Sequence, residues 1–294
     1  MRLYIYKLIS KLGYRIENKK KIALIQAKGI STYNVTKQKD LLLKSYDFIQ
    51  KIQQKFPELK ISDYEDGVIV EIDSLKIYIE TFEEFFILNE VFVQNMYNFS
   101  NDEKSVIIDI GANIGISCLY FSRLFNVLKI YAFEPVGMSY QQAMLNMSLN
   151  GVTKELVEIY NVGLGEKDKN EVFFFNRNVK GNTGVRGNLS SSFKADAVVK
   201  TKVMINDASV QLRRIIDDNP NVKIIVKMDC EGGEYDIFDN IAYSGILKEI
   251  DCLMIEWHDK GAFEIEKHLK KNGFVFFSHV LEHNSGMIYA INQK

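Results

Sequence analysis

Asp109, Glu134, Lys227, Asp229, Glu231, Glu234, Glu256 and His258 are the side chains best placed by type and spacing to do chemistry. Each stands at the end of a short apolar run or just past it, where the carboxyl edge of a parallel sheet presents groups to a ligand. The first run, Val106-Ile-Ile108, is β-branched and reads as a strand buried on both faces, with Asp109 closing it. Gly111, Asn113 and Gly115 follow in the pattern Asp-x-Gly-x-Asn-x-Gly, a tight turn into a helix that reads from Ile116 to Phe125. An acid in front of such a turn repels a pyrophosphate and attracts a cation. The dinucleotide pattern Gly-x-Gly-x-x-Gly is not met, because Asn113 and Ile116 stand where its second and third glycines would be.

The second run, Lys129-Ile-Tyr-Ala-Phe133, ends in Glu134-Pro135. An acid at this tip can accept hydrogen bonds from the two hydroxyls of a ribose. S-adenosylmethionine, with an adenosine, a sulfonium, an ammonium and no phosphate, suits both acids. A third strand reads from Leu156 to Val162, with Asn161 where an adenine edge would be held. A fourth, Val222 to Met228, delivers Lys227, Asp229, Glu231 and Glu234, with Gly232-Gly233 opening the next helix. A fifth, Ile250 to Ile255, ends in Glu256-Trp257-His258.

Taken together, Asp109-Ile-Gly-Ala-Asn-Ile-Gly115, Phe133-Glu-Pro135, Lys227-Met-Asp-Cys-Glu-Gly-Gly-Glu234 and Ile255-Glu-Trp-His258 resemble the FkbM family of S-adenosylmethionine-dependent methyltransferases in order and spacing. The resemblance runs from about Glu90 to the C-terminus. It implies an α/β protein of the class I (Rossmann-like) methyltransferase fold, with a seven-stranded, mostly parallel sheet whose last strand is antiparallel. It also implies O-methylation of a sugar or polyketide-type hydroxyl, with S-adenosyl-L-methionine as cofactor and Asp109, Gly111, Asn113, Gly115, Glu134 and Asn161 around it. It leaves the acceptor unnamed; a sugar, sugar-nucleotide or glycan precursor is the expectation.

Methyl transfer to a hydroxyl is an in-line displacement that needs placement first and a proton acceptor second. His258, the one histidine at a strand tip in the cofactor half, is the first candidate base. Asp229 and Glu231 are rivals, or fix the acceptor through its other hydroxyls. Lys227 points back into the sheet if Asp229 points out, and then pairs with a carboxylate rather than reacting. Asp229, Glu231, Glu234 and Glu256 could also bind Mg²⁺, but no second ligand cluster is visible and no metal site is assigned. Two other readings stay open: a nicotinamide oxidoreductase, opposed by the missing glycines, and a binding module that keeps the fold without catalysis.

The elements that must position these groups divide the chain into residues 1–100, an N-terminal α+β accessory region, and residues 101–294, the cofactor-binding domain. In the first, Ile22 to Ile25 reads as a short strand, and Leu42, Tyr46, Ile49, Ile52 and Phe56 recur with helical period from Asp40 until Pro57. Val68 to Ile72 and Leu75 to Ile79 alternate about Asp73-Ser74 as a β-hairpin with one wet side, and Phe82 to Tyr97 reads as an aromatic helix, either core or a wall over the cofactor. In the second, Met138 to Asn150 makes a helix ended by Gly151, and two strands, Glu171 to Phe175 and Lys200 to Ile205, flank a glycine- and serine-rich loop, 176–196, expected to face the acceptor. Asn206-Asp207 caps a further helix, another runs from Ala262 to Lys271, and Phe274 to Ser278 with Met287 to Ile291 closes the chain as an antiparallel pair.

A formal charge of −1, from 37 basic and 38 acidic residues, provides no field to draw nucleic acid. Three cysteines, Cys118, Cys230 and Cys252, fit a reducing compartment and no zinc spacing. The expectation is a cytoplasmic protein. Residues 1–20, amphipathic with Arg2, Lys7, Lys11 and Arg15, suit peripheral contact with the inner face of a membrane or packing on the domain or on a second copy in a homodimer.

Overall fold

The computed structural model describes residues 19–99, 102–178, 180 and 198–293. The amphipathic segment 1–16 and nearly all of the glycine- and serine-rich loop lie outside these.

The chain enters through α1 (Lys19–Ile30), α2 (Lys39–Lys44) and α3 (Tyr46–Lys55). The strand expected at Ile22–Ile25 is part of α1. Four apolar residues cannot by themselves tell a strand from a helical turn, and the lysines, glutamine and alanines around them are helix formers. The single helix expected from Asp40 is broken at the fully buried Ser45, which caps both halves. An antiparallel sheet follows, in the order β1 (Lys60–Tyr64), β2 (Gly67–Ile72), β3 (Leu75–Ile79). β2 and β3 turn at Asp73 (φ 46°) and Ser74 (φ 67°), the left-handed pair a two-residue hairpin needs. The side expected to be wet is so only in part: Asp73 and Lys76 are exposed, whereas Ile69 and Tyr78 are buried. α4 (Phe82–Leu88), opened by a Thr81/Glu84 capping box, runs into a π-helical turn, Asn89–Val93, so the expected helix changes winding halfway.

The second part contains β4 (Ser105–Ile110), α5 (Ile116–Phe121), β5 (Val127–Phe133), α6 (Gly137–Leu149) and β6 (Val157–Tyr160). Then come β7 (Gly163–Gly165), β8 (Lys169–Asn176), β9 (Val198–Asp207), α7 (Ala208–Asp218), β10 (Lys223–Met228), α8 (Glu234–Tyr243), β11 (Cys252–His258), α9 (Phe263–Lys271), β12 (Phe274–Glu282) and β13 (Ser285–Asn292). Seven of these strands form one sheet in the order β12-β13-β11-β10-β4-β5-β6. β6, β5, β4, β10 and β11 are mutually parallel and β13 runs antiparallel to β11 and β12, the class I methyltransferase arrangement. β4 is buried along its whole length, as its β-branched sequence requires. Its neighbours β5 and β10 lie far apart in sequence, so a crevice opens between their carboxyl ends. β7, β9 and β8 make a small side sheet next to β5.

The change at residue 100 is one of architecture, not a gap in the core, because one apolar cluster runs from Leu42, Ile49 and Ile77 into Ile107, Ile130 and Met254. The free edge of β3 is sealed by amides from α6: Asn146 Oδ1 accepts from Tyr78 N–H (2.7 Å) and Gln142 donates to Tyr78 O (3.1 Å). Among the described residues no helix is long and apolar enough to cross a membrane.

Candidate active site

A single cleft lies over the carboxyl ends of β4, β5, β10 and β11, roofed by α4 and the π-helical turn. At one end is the glycine turn. Gly111 (φ 84°) packs so tightly on β10 that a Cβ there would fall 1.7 Å from the Asp229 carbonyl oxygen, so only glycine fits. Asn113 also takes a left-handed conformation (φ 49°), and its N–H donates to Glu134 Oε2 at 2.9 Å. Val136 N–H donates to Glu134 Oε1 at 2.8 Å. Glu134 is 6% exposed, and burial pushes its carboxyl up to about 7 against the pull of those two N–H groups. The Asn161 amide donates to the carbonyls of Glu134 (3.0 Å) and Pro135 (3.2 Å), tying down the strand end.

Asp109 does not end β4 but lies within it, completely buried. Expected from the sequence to stand by the cofactor, it is held by contacts inside the protein. Ser117 Oγ donates to Oδ2 at 2.5 Å, and Oδ1 faces Lys227 Nζ at 3.1 Å. The two are register partners on β4 and β10, which puts them on the same side of the sheet. Lys227 Nζ also donates to Gly111 O at 2.6 Å, so the pair holds the glycine turn from behind. Burial alone would lower the Lys227 pKa, but Asp109 and then Asp229 carry it well above the usual range. Gly111, Asn113, Glu134 and Lys227 line the cleft, whereas Asp109, Gly115 and Asn161 stand behind its wall.

At the other end Asp229, Glu231, Glu256 and His258 line the space, joined from the π-helical turn by Glu90. Glu234, fully buried at the start of α8, accepts from Cys230 N–H (2.9 Å) and bonds His258 Nδ1 (2.8 Å). The ring's Nε2 faces Glu256 at 3.7 Å and Glu231 at 4.0 Å. Tyr97 donates to Asp229 at 3.3 Å. Burial would lower the His258 pKa, yet the Glu234 bond and the charges of Glu234, Glu231 and Asp229 raise it to about 11. Burial, followed by Asp229, pushes Glu90 up to about 8. Phe86, Ile87, Val91 and Met96 form an apolar wall on the roof side. The structure places the sequence candidates His258, Asp229 and Glu231 in the same cleft. Glu90 was legible only as part of an aromatic helix, because the π-helical turn that aims it leaves no mark in a 3.6-residue period.

A family model described as the methyltransferase FkbM domain matches residues 109–276, from the end of β4 into β12. The chain belongs to the FkbM methyltransferase family. Two fungal proteins are similar to this FkbM methyltransferase. Methyltransferase 1 of Beauveria bassiana is 29% identical over 206 residues, covering 64% of this chain and 80% of its own. Methyltransferase sdnD of Sordaria araneosa is 26% identical over 229 residues, covering 70% and 88%. A solved Methyltransferase FkbM from Methylobacillus flagellatus KT overlays with a TM-score of 0.43 at 14% identity, covering 91% of this chain and 58% of that one. So distant an overlay carries no argument of its own.

The enzyme is an S-adenosylmethionine-dependent methyltransferase, and its cofactor end fits that ligand. Glu134 would accept from the ribose hydroxyls, and beside it Asn113 Oδ1 is buried with no hydrogen-bond partner among the described residues. Gly111, Asn113 and Glu134 are the residues that would hold the cofactor, with Lys227 fixing the loop beneath it.

Proposed function

We propose that this FkbM methyltransferase O-methylates a hydroxyl of a sugar or glycan precursor. The observation that carries this reading is the make-up of the cleft, which Asp229, Glu231, Glu256 and His258 line together with the apolar Phe86 and Met96. A pyranose has both requirements in one molecule: hydroxyls that donate to carboxylates, and an apolar C–H face. When bound, S-adenosylmethionine supplies a methyl carbon on sulfur, so that the oxygen–carbon bond forms as the carbon–sulfur bond breaks and its electron pair stays on sulfur. The chain's share is placement and proton removal. Asp229, held by Tyr97, and Glu231 accept from the acceptor's hydroxyls and fix its orientation. Glu234 fixes the His258 ring through Nδ1, and because that ring already carries its proton, the hydroxyl proton passes to a carboxylate beside it, Glu256 or Glu231, whose charge the imidazolium steadies. Positioned proton acceptors of this kind contribute about 10²–10⁴ in rate.

The test is incubation with methyl-labelled cofactor and a panel of monosaccharides, sugar nucleotides and glycosides, read by mass spectrometry. One added methyl on a sugar oxygen, lost with D229N, is the expected result. Transfer to lipid or peptide hydroxyls with none to any sugar would overturn the acceptor class while leaving the enzyme class in place.

A further inference from the structure

We propose that Asp229, Glu234 and His258 hold a divalent cation, Mn²⁺ or Mg²⁺, at the acceptor end of the cleft. This rests on the methyl-transfer reading above only for the cation's role, not for its binding. One ligand atom from each of the three residues lies within 4.8 Å of the others, the spacing of a set that can close on one ion. A second feature points to a ligand. Glu234 is completely buried, yet among the described residues its Oε2 has no hydrogen-bond partner, a carboxylate oxygen left unsatisfied beside the cluster its other oxygen joins.

Charge points the same way. Glu90, Asp229, Glu231, Glu234 and Glu256 gather around one imidazole, and Lys227, 3.8 Å from Asp229, is held closer by Asp109 and the Gly111 carbonyl. The cofactor brings a single net positive charge, from a sulfonium, an ammonium and a carboxylate. A surplus of carboxylates remains in a space with an apolar roof, and a dication is the compact way to meet it.

The donor set selects the ion. Two carboxylates and one imidazole suit Mn²⁺ or Mg²⁺ better than a thiolate-seeking metal, and the nearby Cys230 is turned away, its Sγ directed to Ile110 O at 3.6 Å. Three protein ligands leave positions open for water and for the acceptor oxygen. A hydroxyl bound there ionises more readily, and its proton passes to Glu231 or Glu256, which flank the ring at 4.0 and 3.7 Å.

The experiment uses the full chain, stripped with a chelator and titrated with Mn²⁺ while the spin resonance of the free ion is followed. One tight Mn²⁺ per chain is expected, competed by Mg²⁺ and weakened at least tenfold by D229N or H258Q. Both variants should keep their circular dichroism and their S-adenosylmethionine affinity, which separates a lost ligand from a lost fold. H268A, at a histidine paired with Asp239 outside the cleft, should bind Mn²⁺ as the parent does. No tight Mn²⁺, Mn²⁺ binding untouched by D229N and H258Q, or methylation at full rate in excess chelator would each overturn the proposal. Exclusive methylation of amine-bearing sugars by metal-free enzyme would assign the negative charge to a cationic acceptor and overturn it too. Tight Mn²⁺ lost with D229N, in an enzyme that methylates no sugar, would sustain the site and sink the sugar reading instead.

Discussion

Asp109 and Glu134, at the cofactor end, take a lysine, a serine hydroxyl and two backbone N–H groups between them. At the acceptor end Glu90, Asp229, Glu231 and Glu256 gather about one imidazole and one tyrosine hydroxyl. The same residue type is therefore used in two ways within one cleft. Carboxylates matched inside the chain fix a shape before any ligand arrives, and carboxylates left short of partners would, on the proposals above, meet a ligand. The comparison predicts that removing a charge has opposite consequences at the two ends.

The largest effect belongs to the matched end. Lys227→Met strands the fully buried Asp109 carboxylate, and stability should fall by about 3–5 kcal/mol in urea denaturation. Adding D109N should restore much of the loss, because the stranded charge rather than the missing lysine is what costs. A loss under about 1 kcal/mol in K227M would mean that the pair does not hold the glycine turn.

Next comes Glu134→Gln, which keeps the shape and removes the charge that ribose hydroxyls donate to. Hydrogen bonds to a charged acceptor are worth about 1.5–3 kcal/mol, so calorimetry should show S-adenosylmethionine affinity falling by roughly 10- to 150-fold. Unchanged affinity would break the assignment of this end to the cofactor.

These variants also mark what could be read in advance. The strand tips were legible because each catalytic-edge acid follows an apolar run, and the pairing of Lys227 with some carboxylate followed from alternation along β10. Which carboxylate was not legible, since it depends on the register that sets Lys227 opposite Asp109. β1 was missed because Lys60-Ile-Ser-Asp-Tyr64 carries one aliphatic residue and owes its extended form to pairing with β2. The wet side assigned to the hairpin is dry at Tyr78 because α6 covers it through Asn146 and Gln142, a contact that alternation within ten residues cannot reveal.

A smaller effect concerns pH. The Glu134 carboxyl sits at about 7 in the free cleft, and the cofactor favours its ionised form, so binding below that value must first expel a proton. Affinity should weaken by up to about tenfold per unit as pH falls below 7, level off above it, and lose this dependence in E134Q. A flat profile in the parent would place the titrating group elsewhere.

The most telling change is Glu90→Gln at the unmatched end. Burial and Asp229 raise Glu90 to about 8, above its unfolded value, so its contribution to stability is fully present in acid and is lost as pH rises toward 8. Glutamine has no proton to surrender. E90Q should therefore come close to the parent near pH 5 and exceed it in stability near pH 8.5, when both are unfolded in urea without cofactor. Lys227→Met loses stability by unbalancing a matched charge, whereas Glu90→Gln gains it by removing an unmatched one. An E90Q protein no more stable than its parent at high pH would show that the acceptor end is compensated by the chain itself, and the distinction between the two ends would fail.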